Sequence, residues 1–143
     1  MTDKTTPDPL LERITHAADG LFIMSETDSP LTPFRWADFF AAEGVDKDVV
    51  GALRQHQKMG PEVVAETVTL KKFFKTQIEP QEGDDAEIAE EKRRLAELRD
   101  LLATELQDVA VHRFGEINIP AYVLGRVPDS RDAAGFSTEL VET

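Results

Sequence analysis

The chain of 143 residues carries 28 acidic against 16 basic side chains, a net charge of −12, and no cysteine. That balance repels nucleic acid and anionic membrane, because binding a duplex needs clustered Lys and Arg; it suits a basic protein partner. The lack of thiols excludes disulfides, a thiolate nucleophile and a cysteine metal site, and no apolar run reaches a membrane span or a secretory signal core, so a single cytoplasmic domain over residues 1–143 is expected.

Residues 1–7 are polar and expected to fray. Asp8-Pro9 then opens a helix: the aspartate accepts backbone N–H bonds as N-cap, and proline loses nothing at the first helical position. Leu10, Leu11, Ile14, Ala17 and Ala18 share one face, and Gly20 stops the helix. Leu21 to Met24 is a short apolar run that predicts a buried strand of the main sheet. Ser25 to Pro33 reads as a loop, with Glu26 at the strand end. Trp36 to Lys58 reads as helical: Trp36, Phe39 and Phe40 form one apolar patch, Gly44 interrupts, and Asp46 caps a second helix with Val49, Val50 and Leu53. Gly60-Pro61 marks a turn, Val63 to Val68 a β-branched strand, and Thr69 to Lys75 a short helix turning Leu70, Phe73 and Phe74 inward.

Thr76 to Asp85 is a polar loop holding Pro80, Gln81 and Gly83. Asp84 and Glu87 have capping-box spacing, opening the longest helix at about residues 85–107. Its apolar stripe is Ile88, Leu95, Leu98, Leu101, Leu102 and Leu106. The acids crowding its start suit the helix dipole and need no further role. From Val109 onward the period becomes two. Val109, Val111 and Arg113 alternate with Ala110 and His112; Ile117, Ile119, Ala121 and Val123 alternate with Glu116, Asn118 and Tyr122; Phe136, Thr138 and Leu140 oppose Ser137, Glu139 and Val141. Three consecutive antiparallel strands follow, the last ending at or near the C-terminal carboxylate. Helices interleaved with a mixed, largely antiparallel sheet give an α+β (α/β) domain, drawn as a three-layer α/β/α arrangement.

Enzyme motifs are lacking. His16, His56 and His112 lie on separate elements without zinc spacing, Ser25-Glu26 has no nucleophile elbow around it, and no Gly-rich phosphate loop occurs. Many acids can converge in space, but nothing selects two of them, so an uncharacterised enzyme is the residual reading and no cofactor is expected.

The run His112-Arg-Phe-Gly-Glu-Ile-Asn-Ile-Pro-Ala-Tyr-Val-Leu-Gly125, then Ala134-Gly-Phe-Ser-Thr138, then Val141-Glu-Thr143, resembles the nuclease A inhibitor family. Ala18-Asp-Gly-Leu-Phe-Ile-Met-Ser-Glu26 resembles its opening, and Phe73-Phe74 with Pro80-Gln81 its middle; residues 36–64 match less closely. The resemblance implies an α/β/α sandwich similar to pathogenesis-related proteins of plants. It also implies an inhibitor, not an enzyme, that blocks a sugar-nonspecific, Mg²⁺-dependent DNA/RNA endonuclease in its basic cleft. In that family the glutamate after Met-Ser and the C-terminal threonine reach the metal centre. The matching positions are Glu26 and Thr143, hard oxygen donors toward the partner's Mg²⁺, with no metal of the inhibitor's own. The family also carries an anchoring tryptophan two residues after the Pro-Gln glutamine, where this chain has Gly83. Gln81 remains a candidate contact, and Trp36, the single tryptophan, is a candidate replacement anchor. With the anchor missing, the alternative is an interaction module of the same fold for another basic protein.

Overall fold

A computed structural model describes residues 8–143; the expectation for residues 1–7 lies outside the described residues. Helix α1 (Pro9–Ala18) starts as its sequence dictates, with Asp8 Oδ1 accepting the Leu11 N–H at 3.2 Å and Pro9 in the first turn. It buries Leu10, Ile14 and Ala18.

The next segment departs from expectation. β1 (Phe22–Met24) does not join the main sheet; it pairs with β2 (Asp28–Pro30) in a separate two-stranded hairpin, so residues 25–33 are not all loop. β3 (Thr32–Trp36) then takes the edge of the main sheet, against the last strand of the chain. An edge strand tolerates Pro33, whose missing N–H would break a central ladder. Trp36 therefore ends a strand and does not begin a helix. The next residues turn, with Asp38 and Gly44 at positive φ, and the only helical pieces between Trp36 and Met59 are a 3₁₀ turn (Val45–Lys47) and α2 (Val49–His56). Asp48, not Asp46, caps α2 by accepting the Gly51 N–H at 2.9 Å.

β4 (Ala65–Thr69) runs directly into α3 (Leu70–Ile78), where Thr69 Oγ1 accepts the Lys72 N–H. α4 (Ala86–Glu105) is capped by Asp85, which accepts the Ile88 N–H at 2.8 Å. Asp84, the expected cap, is occupied otherwise: Oδ2 accepts from the Gln81 N–H at 2.9 Å and from Lys92 Nζ at 2.7 Å. The predicted trio of strands follows as β5 (Gln107–Phe114), β6 (Asn118–Arg126) and β7 (Ala133–Val141).

The main sheet has the order β3-β7-β6-β5-β4, and every pairing is antiparallel, so it is not mixed. Alternation along β6 divides its side chains between two apolar clusters. Ile119, Ala121 and Val123 join Ile14, Phe74, Leu98 and Leu102 from α1, α3 and α4. Tyr122 and Leu124 join Phe114, Phe39 and Leu53 of α2. Helices and an antiparallel sheet make this an α+β protein. Phe136, fully buried and edge-on to Phe74 at 6.3 Å, fixes β7 against the larger cluster. Burial of a phenylalanine contributes on the order of 1.5–3 kcal/mol. β7 is thus held on both edges and from below, and whatever follows Val141 leaves the sheet from a fixed point.

Candidate functional site

Glu26 and Thr143, 117 positions apart in sequence, meet at that point. Thr143 donates its backbone N–H to Glu26 Oε2 at 2.5 Å and its hydroxyl to Oε1 at 2.7 Å. Both residues are exposed. The strand expected to place Glu26 in the main sheet lies outside that sheet, and the structure brings Glu26 to the tail by another device. Ser25 Oγ accepts the Val141 N–H at 3.0 Å, and the Glu26 N–H bonds the Val141 carbonyl at 3.1 Å. The β1–β2 turn is thereby stitched onto the last residue of β7. The tail is held from its other side as well. Arg113 on β5 donates to Glu142 at 2.6 Å and to Glu66 on β4 at 3.0 Å, and the Glu142 N–H bonds the Ile117 carbonyl.

Beside this point lies a cleft of about 300 Å³ whose walls include Glu26, Lys72, Gln77, Arg113 and Glu142. Gln77 on α3, part of its wall, clamps the Met24 backbone: its Oε1 accepts the Met24 N–H at 3.0 Å and its Nε2 donates to the Met24 carbonyl at 2.8 Å. Nothing in local spacing marks Gln77 or Arg113, because their partners are distant in the chain. Ser25 at least belongs to the Met-Ser-Glu run.

The hydroxyl and then the backbone N–H of Thr143 hold the Glu26 carboxyl below the usual glutamate range. A depressed carboxyl pKa means that the link to the tail is present above the ordinary range and is lost as pH falls through the lowered value. Carboxyl NMR titration is expected to show Glu26 ionising below the ordinary glutamate range, and Thr143→Val should move it back toward that range. An ordinary Glu26 titration in the unaltered chain would count against the contact. Among the described residues no three His, Asp or Glu side chains converge to hold a metal ion. What the pair offers is an exposed carboxylate beside a hydroxyl.

Compared with known proteins, the sequence matches the profile of the nuclease A inhibitor-like protein family over residues 8–143, nearly its whole length. The chain belongs to the nuclease A inhibitor-like family. A search of curated proteins finds no match.

The family's match spans the divergent residues 36–64 as well, and the structure shows what they do. Trp36 stacks between Phe34 at 3.9 Å and His56 at 4.1 Å, within the cluster under α2. It pairs with Ala133 at the start of β7, whereas Glu26 and Thr143 gather at the end of that strand. At 3.3–3.4 Å per residue the two ends are about 27 Å apart, so Trp36 does not stand beside Glu26. Gln81 is nearer. It shares a groove with Met24 and Gln77, the residues that also wall the Glu26 cleft. Gly83 is exposed, and a Cβ added to it would meet only open space, but its φ is +93°. A tryptophan there starts from an unobstructed Cβ yet takes on left-handed strain of about 1–2 kcal/mol, more than exposure alone suggests. The loop at Gly83 thus has a backbone shape that favours glycine.

Proposed function

We propose that this protein is an acidic inhibitor that enters the basic active-site cleft of a metal-dependent, sugar-nonspecific DNA/RNA endonuclease and blocks it. It is a binding protein and not an enzyme, acting in the cytoplasm. The observation that carries this reading is the exposed pairing of Glu26 with Thr143 at the end of β7. The carboxylate and hydroxyl present oxygen at one fixed point, where an endonuclease's Mg²⁺ is built to accept phosphate oxygen. Family membership supports the choice of a nuclease as target. The net charge of −12 supplies steering toward a cationic cleft, and preorganisation by Ser25 and Arg113 reduces the ordering cost of binding. Gln81 is a secondary contact beyond the Gln77 clamp, and Gly83 adjusts which nuclease fits.

The direct test titrates the protein against Mg²⁺-activated nonspecific endonucleases cutting duplex DNA and RNA. Stoichiometric loss of cleavage is expected for at least one of them, with the association rate falling as ionic strength approaches 0.15 M, where exposed charges are screened beyond about 8 Å. A salt-independent association rate would remove electrostatic mimicry from the account. Failure to slow any such enzyme would remove the function. The glycine at position 83 favours a second reading, an interaction module for a different basic protein, which capture of a non-nuclease partner through Glu26 would establish.

A further inference from the structure

The apolar stripe of α4 runs further than the core that it covers. Leu95, Leu98 and Leu102 are buried, but Ile88, one stripe position earlier, is 40% exposed. Facing it across a groove of about 520 Å³ are Phe22 and Met24 of β1, at 48% and 63% exposure. The hairpin explains the outward pair. Ile23 takes the inward position of a three-residue strand, so its two neighbours must point away. Three of the five large apolar side chains most exposed among the described residues therefore share one groove.

Its rim is acidic. Asp28 stands opposite Met24 in the hairpin ladder, and Glu91 lies one helical turn beyond Ile88. Neither makes an ion pair among the described residues. Among the described residues the one basic side chain lining the groove, Lys92, is consumed internally by Asp84 and by the Glu79 carbonyl. An apolar floor with unpaired carboxylates at its edge matches a side chain that is apolar along its stem and cationic at its head.

We propose that this groove is a docking site for an arginine side chain of a basic protein partner. The stem lies along Met24 and Ile88, the guanidinium covers the Phe22 ring, and Asp28 and Glu91 neutralise it. Arginine fits better than lysine because its planar, weakly hydrated cation stacks on an aromatic face and leaves water more readily. The groove shares Met24 and Gln77 with the Glu26 cleft, so on the nuclease reading, on which this use of the groove rests, the arginine comes from the rim of the enzyme's basic cleft.

The test has two arms. In the first, an acetylated tri-arginine peptide is titrated into the isotopically labelled protein, with tri-lysine and tri-citrulline peptides as controls. Methyl shifts at Met24 and Ile88 are expected with arginine, weaker ones with lysine and none with citrulline, and the Asp28→Asn/Glu91→Gln variant should lose them at an unchanged melting temperature. Equal response to citrulline, response spread over all acidic faces, or persistence in the variant would overturn the assignment. So would self-association with the same methyl shifts, which would make a second copy the occupant. In the second arm the double variant is expected to weaken inhibition of a Mg²⁺-activated endonuclease by at least about tenfold. Undiminished inhibition would overturn the groove and leave the inhibitor reading standing. A groove that binds the arginine peptide in a protein that inhibits no nuclease would overturn the inhibitor reading and leave the groove.

Discussion

Glu26→Ala is expected to weaken inhibition of a susceptible nuclease by about a hundredfold, through the loss of a charge-assisted contact. The carboxylate is exposed and accepts only from the tail, so its removal opens no cavity and melting should shift little. Thr143→Val removes the hydroxyl but leaves the backbone N–H donor, so its loss should be smaller, on the order of tenfold. The two changes act on one unit, and the double variant is expected to fall well short of the product of the singles. This non-additivity separates a shared metal-directed point from two independent surface contacts. Inhibitor titration at fixed Mg²⁺ reads all three variants, with thermal melting as the folding control. Strictly multiplicative losses would leave the pairing in place but deny that it acts as a unit. Full potency of Glu26→Ala would remove the metal-directed mechanism.

Gly135→Ala is expected to lower stability by roughly 3–5 kcal/mol, by strain at an unfavourable φ together with steric overlap. Gly135 lies within β7 at φ +153°, opposite Leu124 of β6 and Phe34 of β3. A Cβ at this position would stand 1.8 Å from the Val123 carbonyl oxygen and 2.8 Å from its carbon. These are backbone atoms in the middle of the sheet, and they cannot swing aside as a surface side chain does. Gly83→Ala is the control: φ is also positive there, but nothing lies within 4 Å, so only the strain of about 1–2 kcal/mol remains. Urea unfolding of both variants gives the comparison. Equal, small losses would mean that β6 and β7 are not pressed together at Gly135. Because β7 also carries the tail, a Gly135→Ala protein that still folds should inhibit poorly.

The period-two alternation of residues 109–141 made the three long strands legible, since a strand with an apolar face writes that face at every second position. The Asp8-Pro9 start of α1 was equally plain, because a cap is a contact between residues three apart. Residues 21–44 misled for the opposite reason, whereas the helix carrying Val49, Val50 and Leu53 formed as read. A three-residue strand is too short to show a period, and Trp36, Phe39 and Phe40 have spacing that suits a helix, although a strand end and a turn bring them into one cluster. Asp84 and Asp85 are adjacent acids, and local spacing does not choose which one caps α4; Lys92 and Gln81 make the choice by occupying Asp84.

The candidate site divides the same way. By itself the sequence determined the acidity, the lack of thiol chemistry, the strand-rich end of the chain and the family to which Glu26 and Thr143 match, all of which are local in composition or order. Only the tertiary structure decided that these two residues touch, that Ser25, Gln77 and Arg113 hold them in place, and that Trp36 stands at the other end of β7. The physical reason is separation along the chain. The contact joins residues 117 positions apart through a hairpin outside the main sheet, and its geometry depends on how α3, β5 and β7 pack, which no run of neighbouring residues encodes.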